Sequence, residues 1–274
     1  MLRLVVNLDR SPDRWKAIKT QLDQLQIPVE RLEAVDGKLL SEEDVEKLTS
    51  SVHFSMGRDL ERGEIGCFLS HRKCWKKLLD SDEKYALVLE DDLLLSDRAP
   101  KYMLSDDWIP DFCDLIQLFI SPNRKKYVCC REKCELVTGD QLWIPVSPTP
   151  VGTLAYIISR KAAEVALKES ERFNLPVDEF LFVRSCVSQQ FPCYRLNHTV
   201  VQLADIPSEI NRSKKRSRTN FLLEMQRFVD RMKRSLCKKT RLMSGQYVER
   251  EFEGTSVNSM LEKEYSSREL FSVS

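Results

Sequence analysis

Three consecutive carboxylates, Glu90, Asp91 and Asp92, follow directly on the apolar run Tyr85-Ala86-Leu87-Val88-Leu89. Like charges this close repel one another, which is tolerable only in water or around a cation. Hard carboxylate oxygens suit Mg²⁺ or Mn²⁺, ions usually held by one or two carboxylates together with substrate phosphates. The pattern points to an enzyme acting on a nucleotide diphosphate, although a solvated turn at a strand end carries the same residues. A second acidic pair, Asp178-Glu179, interrupts the apolar segment from Pro176 to Leu181. A carboxylate there can act as a base toward a hydroxyl, or Asp178 can cap a helix. His71 beside Ser70 is a residue type suited to proton transfer, but a structural histidine is its simplest reading. No nucleophile elbow accompanies the pair, which disfavours a Ser/His hydrolase.

The elements that would position these groups follow from local pattern. Residues 85–89 predict an interior strand, and the carboxyl ends of such strands border ligand crevices. Residues 2–7 predict a first strand, and Ser11-Pro12-Asp13 a helix start with Ser11 as cap, its apolar face built from Trp15, Ile18, Leu22 and Leu25. Residues 29–35 predict a second strand, with a turn at Asp36-Gly37. No Gly-x-Gly-x-x-Gly or Gly-Lys-Ser/Thr motif follows, which disfavours dinucleotide cofactors and phosphate-loop ATP binding. Ser41 opens a short helix, and residues 50–61 read as a polar loop. Gly63 and Gly66 begin a helix with Ile65, Phe68, Leu69, Trp75, Leu78 and Leu79 on one face. These glycines suit either an anionic ligand at the helix start or close helix–sheet contact. Residues 96–111 read as a solvated connection with a short helix, 114–119 as a strand, 123–133 as a hairpin or flap, and 152–158 as a strand before a helix capped by Ser159. Residues 193–203 are expected to be the last strand.

The 274 residues carry 42% hydrophobic and 31% charged side chains, ordinary globular usage. The net charge of +1 hides an asymmetry, because residues 211–250 hold 13 Lys or Arg against 3 Asp or Glu. In that stretch Phe221, Leu222, Met225, Phe228, Val229, Met232 and Leu236 share a helical face among cations. This is the pattern of a helix lying on an anionic membrane, and also of a helix docked on the body. The basic run 211–218 lacks the interleaved aromatics or module of a nucleic-acid binder. Residues beyond 246 are polar and are expected to be poorly ordered. No run approaches a membrane span, residues 1–7 lack the apolar core of a leader, and the 9 cysteines are odd in number and scattered. The expectation is a cytoplasmic protein, peripheral on the inner face of the membrane. Its body would span residues 1–210, with a basic helical extension over 211–274.

Read together, Asn7-Leu8 with Arg10-Ser11-x-x-Arg14, Asp36-Gly37, Gly63-Glu64-Ile65-Gly66-Cys67 with Ser70-His71, Leu89-Glu90-Asp91-Asp92, Gly152-Thr153-x-x-Tyr156 and Pro176-Val177-Asp178 stand in one order. This combination resembles glycosyltransferase family 25, the bacterial lipooligosaccharide galactosyltransferases to which the collagen galactosyltransferases are related. The resemblance implies an α/β GT-A-like fold, with a mixed, mostly parallel sheet flanked by helices and an Asp-x-Asp-like metal site. It makes Asp92 the ligand of Mn²⁺ or Mg²⁺, with Glu90 beside it, and places Asn7, Leu8, Arg14, Asp36, Glu90 and Asp91 around the donor nucleotide. Glu64, Ser70, His71, Gly152 and Thr153 would lie near the diphosphate or the acceptor, and Asp178 would be the base of an inverting transfer. A UDP-sugar, best UDP-galactose, would be the donor, and a lipooligosaccharide or other surface glycan, lipid-linked in the membrane, the acceptor. The reading from a different class is a non-catalytic Mg²⁺-binding regulatory module of phospho-receiver type, separable by whether UDP is released from UDP-galactose.

Overall fold

A computed structural model describes residues 1–49, 59–120, 126–147, 152–184, 190–204 and 245–251. The strands in chain order are β1 (Leu2–Asn7), β2 (Glu30–Glu33), β3 (Tyr85–Glu90), β4 (Leu93–Leu95), β5 (Leu115–Gln117), β6 (Lys126–Glu135), β7 (Gln141–Ser147), β8 (Ala155–Ser159), β9 (Cys193–Leu196), β10 (Val201–Leu203) and β11 (Tyr247–Glu251). The helices are α1 (Pro12–Gln24), α2 (Glu42–Thr49), α3 (Arg62–Leu79), α4 (Ala99–Met103), α5 (Arg160–Glu169) and α6 (Val177–Glu179), the last running into a π-helical turn, Phe180–Arg184. The described residues form a 9-stranded sheet in the order β11-β6-β7-β9-β5-β8-β3-β1-β2, while β4 pairs with β10 apart from it.

Strand β3 is interior because both its faces are apolar. Leu87 and Leu89 enter one core with Val5 of β1 and Ile18 and Leu22 of α1. Ala86 and Val88 enter the other, with Leu4 of β1 and with Phe68, Trp75 and Leu78 of α3. This two-residue alternation places α1 on one side of the sheet and α3 with α5 on the other. Each fully buried Leu or Phe contributes roughly 1.5–3 kcal/mol.

The helix starts use different devices. Pro12 occupies the first turn of α1, with Asp13 beside it, but the Ser11 hydroxyl makes no capping bond. Glu61 and Glu64 close a capping box on α3. Ser159 caps α5 by accepting the Ala162 N–H at 3.1 Å. Gly66 serves close contact: a Cβ there would lie 2.6 Å from both Gly37 N and Val35 O. Helix α3 is thereby pressed against the turn at Asp36-Gly37.

Several expectations are corrected. The sheet is mixed but not mostly parallel: β1 runs parallel to β2 and β3, and β5 to β9, while the other pairings of that sheet are antiparallel. Strand β8 lies between β3 and β5 and opposes both, and the short β6–β7 connection admits only an antiparallel pair. Residues 193–203 split into two strands, β9 in the main sheet and β10 against β4. The stretch 96–111 holds the expected short helix, α4, but is not solvated, because Tyr102, Met103, Trp108 and Ile109 are buried in the core. Of the stretch expected to be a hairpin or flap, the described part lies in β6, which makes an antiparallel hairpin with β7 and pairs with β11 on its other edge, so the hairpin holds and the flap does not. Strand β11 lies in the tail expected to be disordered. It pairs from Tyr247↔Cys130 to Glu251↔Lys126, and Arg250 lies over the Trp143 ring at 4.8 Å. Backbone pairing and this stacking hold a polar segment that has little apolar surface of its own. The basic stretch 211–244 and the residues after 251 lie outside the described residues, as do 50–58 of the expected polar loop. Among the described residues no helix is long and apolar enough to cross a membrane.

Candidate active site

Strand β3 ends at Glu90, and Asp91 and Asp92 carry the chain off the sheet into β4. Two anchors fix that exit. The Gln21 side chain of α1 donates to Leu93 O at 3.1 Å and accepts from Leu95 N at 2.9 Å, while Ala204 N–H donates to Asp92 O at 2.8 Å. Asp91 turns inward, where Asn7 Nδ2 donates to it at 2.6 Å and Arg14 Nη2 meets it at 2.6 Å. The same Arg14 nitrogen lies 2.9 Å from Asp92. One guanidinium is shared by two carboxylates, and Glu90 adds a third negative charge.

The carboxyls respond differently to this crowding. Burial raises Asp91 above its usual range, and Arg14 and Asn7 offset only part of that. Asp92 is pushed up to about 7, first by burial and then by the charge of Glu90. Its Oδ1 is buried without a hydrogen-bond partner. Burial acts on Glu90 as well, but His71, the Thr153 hydroxyl that donates to Oε1, and Arg14 together hold it below the usual range. An unpartnered carboxylate oxygen beside a second carboxylate is a donor set that a hard divalent cation satisfies, so these residues fit Mg²⁺ or Mn²⁺.

The cleft at this strand end encloses about 360 Å³ and is lined by Leu8, Arg14, Asp36, Ser70, His71 and the three carboxylates, with Arg10, Lys38 and Arg62 adding positive charge. Arg10 Nε donates to Asp36 at 2.6 Å and Lys38 N–H at 3.0 Å, and these contacts outweigh burial to hold Asp36 low. The Ser70 hydroxyl is occupied by backbone, accepting from Val35 N at 2.8 Å and donating to Gly66 O at 2.7 Å. A second pocket of about 240 Å³ adjoins the first, lined by Glu64, Phe119, Gly152, Thr153 and Asp178, among others. Cys67 and Glu90 line both. Asp178 is fixed by two N–H donors, Gly152 on Oδ2 and Glu179 on Oδ1, each at 2.9 Å. Gly152 sits at φ +84°, where a side chain is strained.

The sequence model of glycosyltransferase family 25, described as an LPS biosynthesis protein, matches residues 1–181. The chain belongs to glycosyltransferase family 25. Similar curated proteins include procollagen galactosyltransferase 1-B of Xenopus laevis, 34% identical over 192 residues, which cover 65% of this chain and 30% of that protein. Procollagen galactosyltransferase 2 of Homo sapiens is 33% identical over 187 residues, covering 65% and 29%. A glycosyltransferase 25 family member of Aedes aegypti is 32% identical over 194 residues, covering 65% and 30%. The match to this chain thus spans about 30% of the length of these relatives. Among solved structures, the inositol-1-phosphate CTP transferase from T. maritima aligns with a TM-score of 0.31 at 14% identity, over 77% of this chain and 73% of that one, a likeness too low to carry an argument.

The matched family 25 segment contains every site residue read from the sequence. Leu8, Arg14, Asp36, Ser70, His71, Glu90, Asp91 and Asp92 gather at the first cleft, and Glu64, Gly152, Thr153 and Asp178 at the second pocket. Asn7 lines neither. It is 1% exposed, and its side chain joins Asp91, Ser11 O at 3.0 Å and Arg31 Nε at 2.8 Å. Asp178 does not stand at the helix cap, a place taken by Pro176. The sequence reading passed over Lys38 and Arg62, cations next to glycines that it had singled out, and Phe119, which no local pattern marked. Cys67, quoted only within the Gly63-Glu64-Ile65-Gly66-Cys67 motif, was given no role of its own, yet its Sγ lies with ligand atoms of His71 and Glu90 inside a 4.8 Å cluster. Burial first, and Glu90 next, push the Cys67 thiol well up, so the thiolate a soft metal needs is disfavoured there.

Proposed function

We propose that this chain transfers a hexosyl group, galactose from UDP-galactose, to an acceptor hydroxyl with inversion at the anomeric carbon. The observation that carries the reading is the pair of adjoining pockets that share Glu90, one with carboxylates ringed by cations, the other with a fixed carboxylate, Asp178. Two substrates need two such spaces, whereas a phospho-receiver needs one. Relatives named procollagen galactosyltransferase support galactose as the sugar.

In this reading Asp92 and Glu90 hold Mn²⁺ or Mg²⁺, which when bound neutralises charge on the departing diphosphate. Arg10, Lys38 and Arg62 draw the anionic donor into the cleft, and Leu8 and Asp36 border its nucleoside. Asn7 and Arg14 hold Asp91 and aim Asp92. Asp178 takes the proton of the acceptor hydroxyl as its oxygen bonds to the anomeric carbon and the bond to UDP breaks. Phe119 offers that acceptor an apolar wall.

A lipooligosaccharide on an anionic inner membrane face suits the basic stretch 211–244, while the names of the relatives support a collagen-like protein. Purified full-length chain given UDP-galactose, Mn²⁺ and each acceptor in turn decides the matter. UDP release with galactose on one acceptor is the expected result, and release from no UDP-hexose would sink the transferase reading.

A further inference from the structure

The buried polar group behind Glu90 fixes the protonation of His71 by hydrogen-bond accounting alone. Trp75 Nε1–H lies 2.9 Å from the Tyr156 hydroxyl, and indole nitrogen only donates, so that hydroxyl accepts it. His71 Nδ1 lies 2.9 Å from the same hydroxyl, on the other side of the link. Trp75, His71 and Tyr156 are wholly buried, and Nδ1 is the only acceptor for the Tyr156 proton among the described contacts. Were Nδ1 protonated, that O–H would be stranded in the interior, at a cost of ~1–3 kcal/mol. Nδ1 is therefore the acceptor, and the neutral ring carries its proton on Nε2.

Nε2 is buried, has no hydrogen-bond partner, and lies 3.6 Å from Glu90 Oε1. Thr153 donates to the same oxygen. We propose that His71 is a positioning residue, locked by Trp75 and Tyr156 as the Nε2–H tautomer, which with Thr153 directs donors at Glu90 Oε1 and leaves Oε2 for substrate or its cation. The use of Oε2 rests on the transferase reading; the tautomer does not. The same lock makes Nε2 a donor, so His71 does not join Cys67 and Glu90 as a ligand of a thiolate-binding metal.

Full-length chain labelled with ¹⁵N-histidine tests this directly, since long-range ¹H–¹⁵N correlation tells a protonated ring nitrogen from a bare one. The sequence holds 3 histidines, and loss of a signal in His71→Gln assigns the one in question. The expected spectrum has a protonated Nε2 and a bare Nδ1, and Tyr156→Phe shifts population toward Nδ1–H. A wild-type ring protonated on Nδ1 would overturn the proposal without any variant having to fold. Added Co²⁺ is expected to give no thiolate-to-cobalt absorption band, and such a band would overturn it too. On UDP-galactose, Tyr156→Phe should lower kcat by about 10-fold with the donor KM nearly unchanged, in line with losses from groups that orient a site ligand. His71→Gln, which keeps an N–H donor, should retain more kcat than His71→Leu; equal losses would refute the positioning role. Absence of turnover in the wild type counts against the transferase reading alone, and the spectrum still decides the tautomer.

Discussion

Asp92 is buried beside two other carboxylates, which makes its charged form unfavourable. Its carboxyl titrates at about 7 in the fold against 3.8 ordinarily, so the folded chain keeps a proton that the unfolded chain has released between those values. Stability from this group is therefore lost as pH rises through that window and is lowest above it. Asp92→Asn removes the penalty. In metal-free buffer at about pH 8 the variant should melt several degrees above wild type, with the gap closing near pH 4, while turnover falls by about 10²–10³-fold. Thermal melts with chelator at both pH values check the first part, and a variant that melts lower at the higher pH would contradict it. Arg14 is the counterweight. Arg14→Met leaves Asp91 and Asp92 buried without their cation and should cost ~3–5 kcal/mol in urea unfolding. The three acids were legible in the sequence because they are contiguous and follow an apolar strand. The use of Asn7 was not, since its partner Asp91 is brought to it only when β1 and β3 pair.

The elements around the cleft are set by close backbone contact as much as by side chains. Gly37 and Gly66 face each other where α3 meets the turn after β2, and a Cβ on either would collide with backbone. Gly66→Ala should destabilise the fold by ~1–3 kcal/mol and raise the donor KM, because the displaced turn carries Asp36 and Lys38 into the cleft. Equilibrium unfolding with donor kinetics checks both, and a neutral substitution would mean that the contact is slack. Strands β1, β3 and β8 and helices α1, α3 and α5 were readable from local periodicity and caps. The direction of β8 was not, because pairing partners far along the chain decide it. Strand β11 was missed for a related reason: its polar residues gain order only from the free edge of β6.

For the whole molecule, β11 changes how the basic tail has to be tested. Removing residues 211–274 would also strip β11 from the sheet and open the β6 edge to aggregation. The cleaner change is to replace Lys214, Lys215, Arg216 and Arg218 with serine. If the tail meets anionic lipid, affinity for phosphatidylserine vesicles should fall by about 10²-fold or more, at up to ~1 kcal/mol per cation, with soluble-acceptor turnover intact. Unchanged vesicle binding would favour a helix docked on protein. The acid-tipped end of β3 is the part of the molecule on which donor binding turns in the proposed reading, and calorimetric titration of UDP into full-length chain probes it. UDP binding is expected to require Mn²⁺ in the wild type and to be lost in Asp92→Asn. Equal UDP affinity with and without Mn²⁺, or full Mn²⁺-dependent binding by Asp92→Asn, would contradict it.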